Sequence, residues 1–280
     1  KRPSDLLVMT ATPIPRTLAL TAYGDMDITR LTGKPAGRKP IDTRVMPLDK
    51  LAQIVDGLAR AISQGKRAYW VCPLVEESDF IDKTAAEARF TSLQARFGDT
   101  VGLVHGRMKG AEKDAVMANF KAGKLSILVS TTVIEVGVDV PEATIMIIEN
   151  AERFGLAQLH QLRGRICRGS YQGYCFLMSD SETPEANDRL SAMEESSDGF
   201  KLAERDAELR GPGDVLGTRQ SGALPLRVGN PIKDLALLQV ARRMAYDLVR
   251  TGDFDSPEFA ALKKLVLDRF AHVLDLPQTG

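Results

Sequence analysis

The chain has 280 residues, 44% of them apolar and 26% charged. That balance is ordinary for a globular protein and excludes disorder as the main state. Lysine plus arginine and aspartate plus glutamate each number 37, which excludes a uniformly basic protein but not a local basic patch. No apolar run approaches the roughly 18 residues that cross a bilayer, and Leu6-Leu7-Val8-Met9 is too short for the core of a signal peptide. Cys72, Cys167 and Cys175 fit no zinc spacing, and an odd, sparse set argues against a disulfide scaffold. A reducing cytoplasm is expected, with no metal site, since His105, His160 and His272 are scattered. The length suggests about two domains, and the absence of an initiator methionine suggests a fragment of a longer chain.

Residues 1–40 differ in character from the rest of the chain. Asp5 precedes a short apolar run that reads as a buried strand leaving through Thr10-Ala11-Thr12-Pro13, and the basic stretch 34–40, rich in Pro and Gly, reads as a hinge. From 41 to 180 short apolar runs alternate with helical patterns. Strands are expected at 43–47, 67–72, 101–104, 127–130, 145–148 and 174–178. Leu51, Ile54, Val55, Leu58 and Ile62 mark a helix between the first two, and further helices are expected near 84–97, 110–121 and 156–166. This alternation predicts an α/β fold with a mainly parallel sheet and helices on both faces. Ligands of such sheets sit at the carboxyl ends of the strands. Residues 181–280 read as a mainly helical region: two helices within 184–210, an irregular loop over 211–231 holding five Gly and three Pro, then helices at 232–251 and 256–274.

Four segments carry candidate chemistry. In Gln161-Leu162-Arg163-Gly164-Arg165-Ile166-Cys167-Arg168, a continuous helix would place Gln161, Arg165 and Arg168 within about 60° of one another, opposite Leu159, Leu162 and Ile166. Two guanidiniums with no acidic neighbour between 153 and 173 suit a polyanion such as a triphosphate; a solvated helix face is the competing reading. The segment Ser130-Thr131-Thr132-Val133-Ile134-Glu135-Val136-Gly137-Val138-Asp139 leaves the strand at 127–130, so its hydroxyls and amides can hold a phosphodiester and Asp139 a ribose hydroxyl. A Ser/Thr helix cap is the plainer alternative. His105-Gly106-Arg107 succeeds the strand at 101–104 and reads either as a phosphate-backbone contact or as a helix-entry turn. The run Glu208-Leu209-Arg210-Gly211 continues to Arg219-Gln220 on a glycine-rich segment that can equally be a flexible connector. Cys167, at the edge of the cationic face, is expected either as an exposed thiol activated by its arginines or as a small residue packed beneath the helix.

Taken together, Met9–Arg16, Val101–Met108, Thr131–Pro141, Ile147–Arg168 and Asp198–Gly222 resemble the C-terminal half of the RecG family of bacterial DNA helicases. The related transcription-repair coupling factors, translocases that displace RNA polymerase, share much of the pattern but fit less well at 105–108 and 218–222. The resemblance implies a RecA-like second motor domain over 41–180, with 1–40 the end of the first motor domain and its hinge, and 181–280 the translocation hairpin and loop. It further implies ATP with Mg2+ as the energy source and branched DNA, such as stalled forks and Holliday junctions, as the substrate in repair and recombination. Thr10 and Thr12 would couple hydrolysis to DNA. Thr131, Thr132 and Glu135 would touch DNA, as would His105, Gly106 and Arg107. Gly137, Asp139 and Gly164 would bind nucleotide. Gln161, Arg165 and Arg168 would be catalytic, one or both arginines stabilising charge on the γ-phosphoryl group. Arg210, Arg219 and Gln220 would turn motor closure into movement. The chain has no G-x-x-x-x-G-K-[ST] phosphate loop and no Asp-Glu box for Mg2+, so those parts, with a DNA wedge domain, are expected upstream as partners of this segment. Cys167 stands where the family pattern has Gly. A non-enzymatic nucleic-acid-binding module derived from such a motor remains the alternative from another functional class.

Overall fold

A computed structural model describes residues 39–73, 79–131, 140–167, 171–215 and 234–274, together with 7, 29, 31 and 37. Six strands, β1 (Ile41–Met46), β2 (Arg67–Val71), β3 (Val101–Val104), β4 (Ile127–Ser130), β5 (Ala143–Ile148) and β6 (Gly173–Met178), form one sheet in the order β1-β6-β5-β2-β4-β3. Every pairing is parallel. All six lie within two residues of their expected positions. The runs are legible because a parallel sheet is covered on both faces, so its central strands are continuously apolar; every residue of β4 and β5 is buried.

Helices α1 (Leu51–Ser63), α2 (Asp79–Phe97), α3 (Gly110–Lys121) and α4 (Leu156–Arg163) connect the strands, and α5 (Pro184–Glu195) and α6 (Gly199–Val215) come after β6. Alternate strand residues point to opposite faces, which divides the core in two. Tyr69, Leu128, Met146 and Cys175 pack with Phe120 of α3, Leu159 of α4, Leu190 of α5 and Leu202 of α6. Trp70, Val129, Ile145 and Ile147 pack with Leu58 of α1 and Leu93 of α2. The edge strand β1 is protected from further pairing: the Val45 N–H donates to Glu194 Oε1 on α5 at 2.6 Å.

Two helix ends differ from the sequence reading. The two helices of 184–210 break at 196–198, where Asp198 Oδ1 accepts the Phe200 N–H at 2.9 Å and starts α6. That helix then continues through Gly211-Pro212-Gly213 to Val215 rather than ending at 210. In contrast, α4 stops at Arg163, three residues early: Gly164 takes the C-cap position in right-handed backbone at φ −66°, and the chain turns into left-handed backbone at Cys167. The chain divides into two compact units, one of them Thr29–Leu209. The other includes α7 (Leu235–Thr251), closed by Gly252 at φ 82°, and α8 (Ala260–Leu274). No helix among the described residues is long and apolar enough to cross a membrane.

At the carboxyl ends of β2 and β5, one ion pair ties α2 to the sheet. Arg89 grips Glu149 with Nε–Oε1 at 2.6 Å and Nη2–Oε2 at 3.0 Å. The Trp70 indole N–H donates to the same carboxylate. The side chains are only 21% and 12% exposed, so loss of one partner strands a charge away from water. Arg89→Ala is expected to cost about 3 kcal/mol in urea unfolding, and Arg89→Met with Glu149→Leu is expected to recover most of it. Equal losses in the two variants would refute this role for the pair.

Candidate functional site

The candidate residues sort onto two opposite edges of the sheet. A strand exits at the carboxyl edge, and in a parallel sheet the crossover helix must return the chain to the amino edge before the next strand begins. Which edge a residue occupies therefore depends on whether it stands before or after its crossover helix.

The carboxyl edge holds His105, Gly106, Arg107 and Thr131 from among the residues expected to meet DNA. His105, Gly106 and Arg107 leave β3 in a turn closed by the Met108 N–H on the His105 carbonyl at 3.2 Å. His105 is half-buried, and Gly106 and Arg107 are exposed. Glu112 Oε2 accepts the Lys109 N–H at 3.3 Å and fixes the start of α3, while Lys113 Nζ donates to the Gly106 carbonyl at 2.9 Å. Beside this turn, Thr131 continues β4, its N–H on the Val104 carbonyl at 3.3 Å. The Thr131 side chain is 2% exposed and the preceding Ser130 is fully buried, yet neither hydroxyl finds a hydrogen-bond partner among the described residues. Sequence reasoning does not single out Ser130, although it opens the same hydroxyl run. A cavity of about 250 Å³ at this edge is lined by Cys72, Arg89, Glu149, Asn150 and Arg153. Arg153 is exposed and makes no ion pair among the described residues.

The amino edge holds the arginine loop. Helix α4 carries Gln161, exposed, and ends at the exposed Gly164. Because the helix stops there, Arg165 does not share a helical face with Gln161 as expected. It sits in the turn beyond, its N–H on the Leu162 carbonyl at 2.9 Å. Its side chain is half-buried and makes no ion pair or hydrogen bond among the described residues. The apolar side of the motif is as expected: Leu159, Leu162 and Ile166 are all buried. The loop is pinned to the first residues of two strands. The Cys167 N–H donates to the Ala143 carbonyl at 3.2 Å, and its thiol lies against Gly173.

Cys167 itself is fully buried, which decides between its two expected readings in favour of the small packed residue. Its φ is +57°, a left-handed conformation that costs a side-chain-bearing L-residue roughly 1–2 kcal/mol and costs glycine nothing. The turn into left-handed backbone drives the side chain inward instead of toward the cationic edge.

Sequence reasoning misses Arg163. It is 3% exposed and holds no carboxylate. One guanidinium nitrogen donates to Met193 O at 2.6 Å and Thr43 Oγ1 at 3.2 Å, and the other to Ser196 O at 2.9 Å, with His160 Nδ1 at 3.2 Å. Two of these acceptors are carbonyls at the carboxyl end of α5, where the helix presents unpaired oxygens and partial negative charge. Burial lowers the pKa of this guanidinium. The helical periodicity holds the signal, since about 100° per residue puts Arg163 on the side of Leu159 and Ile166.

Several expected residues lie outside the described ones: Thr10, Thr12, Thr132, Glu135, Gly137, Asp139, Arg168, Arg219 and Gln220. Arg210 lies in α6, its side chain likewise outside the description. The described residues contain no cluster of three or more His, Cys, Asp or Glu able to hold a metal ion.

All three cysteines are buried and outside any disulfide. Burial, reinforced by the Glu149 carboxylate, pushes the Cys72 thiol far up, and burial lifts Cys175 to about 12 against the pull of Arg163. Folding therefore holds protons that the unfolded chain releases above its ordinary value near 9.0. This contribution to stability is complete below about pH 9 and is lost as pH rises toward 12. Urea midpoints are expected to fall between pH 8 and pH 10.5, less steeply in Cys175→Ala, with native thiols inert to maleimide at pH 7.5. Rapid modification of Cys167 in the folded chain would contradict its burial.

Residues 48–170 match the helicase conserved C-terminal domain, and residues 196–270 match domain 3, C-terminal, of the ATP-dependent DNA helicase RecG. The chain is 48% identical to RecG of Acidithiobacillus ferridurans over 277 residues, covering 98% of this chain and 40% of that protein. It is 51% identical to RecG of Escherichia coli K12 over 242 residues, covering 85% and 35%. A solved structure of RecG bound to a three-way DNA junction superposes with a TM-score of 0.65 at 44% identity, covering 81% of this chain and 30% of that one. The chain thus spans about two-fifths of the length of these curated relatives. With two helicase regions matched in order and about half of all residues identical along nearly its whole length, the chain is homologous to the C-terminal part of the ATP-dependent DNA helicase RecG, and its parallel sheet is the RecA-like helicase C-terminal domain.

Proposed function

We propose that this chain supplies the second motor domain and the translocation element of an ATP-dependent DNA helicase that remodels branched DNA in repair and recombination. The observation that carries the reading is the half-buried Arg165, without an ionic partner among the described residues, on a loop fastened to the amino edge of the sheet. A guanidinium held this way is ready to meet charge that develops elsewhere, as an arginine finger meets the transferring γ-phosphoryl group. Gly164 beside it leaves the backbone open to close approach, and Gln161, one turn earlier on α4, can orient the attacking water. The opposite edge offers the 105–107 turn and Arg153 to a phosphodiester backbone, with Thr131 at the end of β4 beside the turn.

On this reading residues 1–40 close the preceding motor domain. The phosphate loop and the carboxylates for Mg2+ belong to that domain, and no step assigned to this chain runs through the metal. The segment from Arg210 through Arg219 and Gln220 converts closure of the motor into movement along duplex DNA. The match to the RecG domain over 196–270 supports this assignment over a transcription-coupled translocase. The bound junction in the related RecG structure supports branched DNA as the substrate.

Two substitutions in the full-length protein test the separation of edges. Arg165→Ala is expected to slow DNA-stimulated ATP hydrolysis by about 10³-fold while leaving DNA affinity unchanged. Thr131→Val removes a buried hydroxyl but keeps its shape, so the folded state is expected to be as stable as the parent or more so. DNA binding is nevertheless expected to weaken. Undiminished hydrolysis in Arg165→Ala, or undiminished DNA binding in Thr131→Val, would refute the corresponding assignment. The 280-residue chain by itself is expected to bind DNA weakly, with log K falling by about 0.9 per neutralised phosphate for each unit of log salt. It is expected not to turn over ATP. Steady hydrolysis by the purified chain would show that the phosphate loop is not needed.

A further inference from the structure

Cys167 combines three features that do not belong together by accident. It adopts left-handed backbone, which favours glycine; it carries a side chain there nonetheless; and that side chain is fully buried. The space it enters is defined by Gly173, the first residue of β6. A β-carbon placed on Gly173 would lie 2.0 Å from Cys167 Sγ and 3.2 Å from Cys167 Cβ, so one volume is claimed by the thiol and would be claimed by any side chain at 173. Around this notch stand the Ala143 carbonyl, which accepts the Cys167 N–H, and the Thr144 carbonyl, 3.9 Å from the thiol. The side chain thus wedges the loop between the starting residues of β5 and β6, two residues beyond Arg165.

We propose that Cys167 and Gly173 form a size-complementary pair in which a single small group fills one notch, and that this pair positions the Arg165 loop. Cys167 is a positioning residue, acting through the loop and not on the nucleotide. The proposal rests on the reading of Arg165 as the residue that meets the γ-phosphoryl group. An empty notch frees the loop, and a doubly occupied notch forces it off the sheet. Filling the notch from the strand side instead of the loop side leaves the loop seated, with the left-handed position relaxed by glycine.

The test is a double-mutant cycle in the full-length protein, read as kcat and KM for DNA-stimulated ATP hydrolysis together with melting temperature. Gly173→Ala is expected to lower kcat by about 10–100-fold, the scale at which a displacement of about 1 Å acts on catalysis. KM for ATP should change far less. Cys167→Gly is expected to lower kcat by roughly threefold to tenfold on the same ground. The double variant is expected to exceed both single variants, because the alanine methyl takes the place of the thiol. A double variant at or below the product of the two single effects would overturn the proposal, as would wild-type kcat in Gly173→Ala. If Gly173→Ala alone does not fold, the double variant still decides, by exceeding or failing to exceed the melting temperature and kcat of Cys167→Gly. Arg165→Ala, run in parallel, separates the two ideas. Wild-type hydrolysis there sinks the nucleotide assignment, whereas recovery of melting temperature across the cycle speaks to the pair alone.

Discussion

A strand in a parallel sheet cannot reach its neighbour by a hairpin; the chain must cross the sheet again in a helix before pairing. That requirement gives this domain two opposite edges at which loops gather. Residues just after β3 and β4 emerge on one of them, and residues just after α4 emerge on the other. The strands are four to six residues long, so the edges stand about 13–20 Å apart. Nothing small bridges such a gap by direct contact.

Arg163 shows how tightly the arginine loop is joined to the rest. It lies two residues before Arg165 and is buried without a carboxylate. Its donors are spent on the carbonyls of Met193 and Ser196. These end α5, and Asp198 begins α6 two residues later. A shift of the arginine loop would therefore pull on the helix pair that leads to Arg210. A cation in this place is held by geometry more than by charge pairing: helix carbonyls without partners accept from a planar donor of fixed shape.

Much of this is legible in the sequence, and the exceptions have physical causes. The six strands can be read because burial on both faces leaves runs such as Ile127-Leu128-Val129 wholly apolar. The same logic places the hydroxyl run after β4 and the turn after β3 at the carboxyl edge. Arg165 is identified by its charge, but its position is not, because Gly164 ends α4 and the helical projection fails beyond it. Cys167 goes inward for a reason that periodicity does not encode, a single left-handed residue. Arg163 escapes notice when charge is equated with surface. The Arg89–Glu149 pair spans 60 positions, a separation at which local patterns carry no information.

The most direct test of the two-edge arrangement is crosslinking of the full-length protein to each ligand in turn, with the modified residues then mapped. An azido-substituted ATP analogue is expected to label residues 161–167, and photoreactive branched DNA is expected to label residues 105–109 and the neighbourhood of Thr131 and Arg153. Nucleotide adducts at 105–109, or DNA adducts confined to 161–167, would contradict the account.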